Sequence, residues 1–244
     1  MSRLMVSLLA LNVLGALIVG WMIVQRARGP KCPIFRTPGC PLEVELSALG
    51  GGVRYGAAKP RFRVYLFVDL ASGAARQAYQ ELTLALVDKR LAAEIELRVL
   101  HAPEGGCPPG EGSYSCAAAA VVECAESIAP GVGLEVVGDA FDVGWGRGEK
   151  TSALLEFAQR RVSGAKEGPA ASVAACVESV RAVHEQIASH AEVASKMGVL
   201  GVGGVVEFVD DPPRRVSFGD WLTRATLLRL MTCVQENRCE GGEE

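Results

Sequence analysis

At 244 residues the chain has the length for one domain of ordinary size that buries its own core. Its formal net charge of −3 says little about partners. No basic face interleaved with aromatics runs through it, which argues against nucleic-acid binding.

The N-terminus carries an apolar run over residues 4–24, in which Asn12 is a mild blemish. It is close to the roughly 20 residues that span a bilayer, and longer than the roughly 7–15 of a signal-peptide core. No small-residue cleavage site follows it, so it is expected to be an uncleaved transmembrane signal anchor with residues 1–3 in the cytoplasm. A cleaved signal is the alternative. Arg3 lies ahead of the span, and Arg26, Arg28 and Lys31 follow it. Flanking charge weakly favours a cytoplasmic far side, but long domains translocate largely regardless of it. All eight cysteines lie beyond the span, which suits an oxidising compartment. The domain is therefore expected in the periplasm or at the cell surface.

Residues 25–60 are rich in glycine and proline and read as a stalk. Cys32-Pro33 and Cys40-Pro41 bracket a turn, a short strand is expected at residues 42–46, and Gly50, Gly51 and Gly52 break it. Arg54, Lys59, Arg61 and Arg63 form a loose basic group, read as a solvated linker or, alternatively, as a contact to anionic lipid.

The domain is expected over residues 61–236. Val64, Tyr65, Leu66, Phe67 and Val68 read as a buried strand (63–68), followed by Asp69, a small-residue turn and a helix over 75–91. A strand at 93–100 and a Pro/Gly loop at 102–112 come next. A helical block fills about 115–195, with breaks at 130–133, 144–148 and 164–169. Strands at 205–209 and 214–218 flank the turn Asp210-Asp211-Pro212-Pro213, and a helix at 219–234 leads to an acidic tail at 237–244. This order predicts an α/β fold: a central sheet with an inserted helical domain, preceded by one transmembrane helix.

Phe67, Asp69, Leu70, Ser72, Gly73, Ala74, Ala75, Arg76 and Tyr79 fall where the DsbA-like branch of the thioredoxin superfamily has Phe-x-Asp-Phe-x-Cys-x-x-Cys-Lys/Arg and an aromatic residue. The chain resembles that branch in two further places. Val173-Ala174-Ala175-Cys176 leads through a helix to Gly198, Val199, Gly201 and Gly203, and residues 116–129 resemble the first helix of the family's insertion. The resemblance implies a thioredoxin-like sheet. It also places Ser72, Gly73, Ala74 and Ala75 at the active-site positions and Gly203 at the position of the family's cis-proline. Both thiols and the proline are therefore replaced. It implies, too, a structural disulfide between Cys124 and Cys176.

None of the eight cysteines has the Cys-x-x-Cys spacing of a catalytic pair. Cys32 with Cys40, Cys107 with Cys116, and Cys233 with Cys239 each flank a short stretch and read as staples, although eight cysteines permit 105 connectivities. Ser72 reads as a helix N-cap. His184 and His190 are six apart and point to different faces, and His101 reads as a surface residue near the sheet edge. No metal or cofactor is expected. The reading is a membrane-anchored, redox-inactive binding module for a protein or peptide, with an exposed apolar patch near Ser72 and Gly203. Two alternatives are an oxidoreductase using Cys107 and Cys116, and an enzyme centred on Ser72 that resembles glutathione transferases and isomerases.

Overall fold

The computed structural model describes residues 46, 49–107, 113–145, 151–165, 171–179, 181–197, 199, 201–209, 214–218, 225 and 227–228. The chain divides into Met1–Cys40 and Pro41–Glu244, and every described residue belongs to the second unit. The expected span at 4–24, the four cysteines Cys32, Cys40, Cys233 and Cys239, and the tail at 237–244 lie outside the described residues. So does most of the stalk ahead of residue 49 and most of the expected last helix. Among the described residues no helix is long and apolar enough to cross a membrane.

Five strands form one sheet in the order β1-β3-β2-β4-β5. They are β1 (Val53–Gly56), β2 (Phe62–Val68), β3 (Ile95–His101), β4 (Val202–Phe208) and β5 (Arg214–Phe218). The β2–β3 pair is parallel and the other pairs are antiparallel. A parallel pair needs a crossover, supplied by α1 (Gly73–Val87) and α2 (Lys89–Glu94).

Alternation along β2 sets the two sides of the sheet. Phe62, Val64, Leu66 and Val68 enter one apolar cluster with α1 and the inserted helices. Tyr65 and Phe67 enter a second, with Leu46, Leu100, Ala194 and Val205. Being buried on both faces, the strand reads as a nearly continuous apolar run.

The insertion comprises α3 (Tyr114–Ile128), α4 (Gly133–Trp145), α5 (Thr151–Ala165), α6 (Val173–Ser179) and α7 (Arg181–Lys196). Helix α3 packs against the other four. Ala118, Ala119, Ala120, Val121, Val122 and Ala125 are all buried along it, and side chains this small let its neighbours approach from several sides.

Two expected elements differ. The first strand was expected at 42–46, but Leu46 lies in a helical turn and the edge strand is Val53–Gly56, inside the stretch read as stalk. Gly51 and Gly52, at φ 67° and 71°, make the turn, and the residues beyond them pair with β3. The expected helix over 75–91 is two helices. Asp88 takes an extended conformation and accepts the Arg90 N–H, because a side chain that caps a new helix competes with continuing the old one.

Candidate functional site

Strand β2 ends at Val68, and its next residue, Asp69, organises the corner of the sheet. The carboxylate is 7% exposed. Its Oδ1 accepts the Ala71 N–H at 2.7 Å and the Ser115 hydroxyl at 2.6 Å, and its Oδ2 accepts the Glu104 N–H at 2.8 Å. Ser115 Oγ in turn accepts the Leu70 N–H at 3.2 Å. One side chain thus ties together the turn before α1, the loop after β3 and the first turn of α3.

Ser72 follows in this turn. Its N–H donates to the Asp69 carbonyl at 2.9 Å, and its Oγ accepts the Ala75 N–H at 3.3 Å as the N-cap of α1. Gly73 and Ala74 occupy the first two helical positions, Ala74 exposed and Ala75 fully buried. The helix end offers an environment that lowers a thiol pKa, but a hydroxyl with a far higher intrinsic pKa stands there, already used as a cap. Ser72→Ala is expected to lower stability by about 1 kcal/mol, the usual value of a cap, read by urea denaturation. A loss well above about 2 kcal/mol would show that the hydroxyl does more than cap.

Gly203 lies inside β4, buried and in register with Phe67. The neighbour that reaches the turn is Gly201, whose carbonyl accepts the Asp69 N–H at 2.9 Å. Gly201 has φ 74°, and a Cβ on it would lie 3.7 Å from Ser72 Oγ.

Cys107 and Cys116 form a disulfide across the loop after β3. Cys107 is half-buried; Cys116 is 6% exposed and sits in the first turn of α3, where its N–H donates to the cap Ser113 Oγ. Cys116 follows Ser115, the residue whose hydroxyl donates to Asp69. Cys124 and Cys176 form a second disulfide that joins α3 to α6, the pairing implied by the family resemblance. Tyr114, beside Ser115, donates its hydroxyl to the Ala140 carbonyl, and burial pushes its pKa up to about 12, so it stays a neutral strut.

His184 and His190 point to different faces, the first exposed and the second completely buried, but His101, expected at the surface, is completely buried. His101 and His190 meet Glu123 of α3. An acidic residue in the run Val121-Val122-Glu123-Cys124-Ala125 was the available signal for this cluster; its partners, 22 and 67 positions away in sequence, carry no local signature. Among the described residues, no group of three or more His, Cys, Asp or Glu side chains is arranged to hold a metal ion.

Among the described residues, the expected apolar patch is not found at Ser72 or Gly203. Among the described residues the exposed large apolar side chains are Tyr55, Leu84, Val87, Phe157, Val209 and Leu228, and the Asp69 turn and β4 contribute none of them. Burial of Leu70 and Val202 in the main core accounts for this.

No family model matches the chain, and no curated protein matches it in sequence. Solved structures do match in fold. Pseudomonas aeruginosa DsbA2 is 20% identical, with a TM-score of 0.56 over 78% of this chain and 97% of that one. The thiol-disulfide exchange protein alpha-DsbA2 of Wolbachia pipientis is 13% identical, with a TM-score of 0.57 over 78% and 88%. Salmonella enterica Typhimurium BcfH is 14% identical, with a TM-score of 0.61 over 94% and 92%. At these identities the likeness is one of fold. The chain therefore has the DsbA-like form of the thioredoxin fold.

Proposed function

We propose that this protein is a membrane-anchored, extracytoplasmic DsbA-fold module that does not exchange disulfides at the Ser72 turn and instead holds a protein or peptide partner there without covalent chemistry. The observation that carries this reading is the saturated turn: Ser72 Oγ caps α1, and the Asp69 carboxylate is engaged by three donors. A turn with no thiol and no free base offers shape and backbone, not reactivity. The two disulfides support an oxidising compartment, and the apolar run at 4–24 supports the anchor.

A second reading has its own observation. Cys107 is half-buried while Cys116 sits at a helix N-terminus, so a thiolate attacking Cys107 would release Cys116 as a stabilised leaving group.

One set of measurements on the full chain separates the two. Titration with cysteine-free extended peptides is expected to give saturable binding, weakened by Ala71→Arg or Ala74→Arg at the exposed rim of the turn, with both disulfides closed in glutathione buffers from about −120 to −270 mV. Opening of Cys107–Cys116 within that range, without peptide binding, would overturn the binding reading in favour of exchange.

A further inference from the structure

His101 from β3, Glu123 from α3 and His190 from α7 meet in the interior, each no more than 5% exposed. Together they hold the glycine segment ahead of β1. Both carboxylate oxygens of Glu123 accept the Gly52 N–H at 3.0 Å. His190 Nε2 lies 2.8 Å from the Gly50 carbonyl oxygen. A carbonyl only accepts, so Nε2 carries the hydrogen, and Nδ1 of a neutral ring is left with a bare lone pair.

That lone pair lies 4.0 Å from Glu123 Oε1, and His101 Nε2 lies 3.5 Å from the same oxygen. His101 Nδ1, His101 Nε2 and His190 Nδ1 have no hydrogen-bond partner. A carboxylate facing unprotonated nitrogen in a dry interior is costly, and a single proton relieves it. A carboxylic acid beside two neutral rings and a carboxylate beside one charged ring have the same net charge. Either arrangement holds one proton more than a carboxylate with two neutral imidazoles.

We infer that His101, Glu123 and His190 share a single proton, that this closed cluster latches residues 50–52 onto the domain, and that acid releases them. The surrounding charges do not offset the cluster. From α3, Glu126 acts on Glu123, and its own carboxylate accepts the Gly131 and Gly133 N–H groups. Arg98, the other buried charge of β3, donates to Glu96. The glycine segment contributes backbone dipoles only.

Burial sets the direction. It pushes His101 down to about 3, lowers His190, and pushes Glu123 up to about 7. Between about pH 5 and 6 the released segment therefore leaves both histidines protonated and Glu123 ionised, so it holds two protons against one in the closed cluster. Release takes up one net proton, and lowering the pH favours it. Above about pH 7 both states have lost their protons and the balance is level.

Hydrogen exchange at the Gly52 amide of the full chain, corrected for the intrinsic effect of pH, tests the latch. Protection is expected to be level above about pH 7 and to fall about tenfold per unit between about pH 6 and 5. Glu123→Gln removes the proton held in the closed state, so uptake becomes two protons and the fall steepens to about a hundredfold per unit. Protection indifferent to pH, or the same slope in Glu123→Gln, would overturn the inference. Ring 15N shifts of the wild-type chain give a check that needs no variant: His101 and His190 are expected not to titrate at the ordinary value of about 6.5, and ordinary titration of both rings would overturn the latch.

Discussion

Asp69→Ala is expected to cost about 4 kcal/mol of folding stability, since hydrogen bonds to a charged group are worth about 1.5–3 kcal/mol each and are not fully additive. Three donors lose their acceptor at once: the Ala71 N–H, the Glu104 N–H and the Ser115 hydroxyl. Little water can replace it at a site 7% exposed. Asp69→Asn keeps one oxygen for Ala71 and Ser115 but turns a donor toward the Glu104 N–H, so it should cost about half as much. Urea denaturation of both variants reads the difference. A loss below about 1 kcal/mol in Asp69→Ala would mean that the turn repacks without its carboxylate. The effect should also reach the loop after β3, because Asp69 joins that loop to the Ser72 turn. Faster exchange at the Glu104 amide in Asp69→Ala is the local signature to look for.

Removal of the Cys124–Cys176 disulfide by Cys124→Ala with Cys176→Ala should have an effect of similar size. The cysteines are 52 residues apart, and the chain-entropy model assigns a loop of that length about 4 kcal/mol. Cys124 is completely buried in α3, so the substitution also leaves space in the core. The Cys107–Cys116 pair closes a separation of only 9, and its removal should cost about 2.5 kcal/mol by the same model. Denaturation curves of the two double variants should therefore rank 124/176 as the more damaging. The reverse order would show that the unfolded chain is already compact around α3 and α6, or that the shorter loop carries native contacts beyond its cross-link.

Much of the fold is written locally. The run Val64–Val68 is apolar on both faces and, apart from Leu66, β-branched or aromatic, which is what a strand buried between two layers needs, and it became the inner strand β2. The small residues after Asp69, with Ser72 three positions before Ala75, mark a capped helix start, and Ser72 caps α1 in just that way. The inserted helices are legible from their alanine-rich runs and Pro/Gly breaks.

Other features depended on partners far off in the chain. The edge strand Val53–Gly56 has one buried residue in four, so it lacks the alternation that marks a strand, and β3 supplies its pairing. Asp69 reads as a turn residue until Glu104 and Ser115 arrive from two other elements. His101 ends a strand and so reads as exposed, yet it is completely buried beside Glu123 of α3. In sequence, then, the chain determined its inner strands and its capped helix starts, because these follow from periodicity and capping chemistry. Tertiary structure alone decided what the carboxylates and histidines do, because burial and hydrogen-bond partners are properties of the packed interior and not of neighbours along the chain.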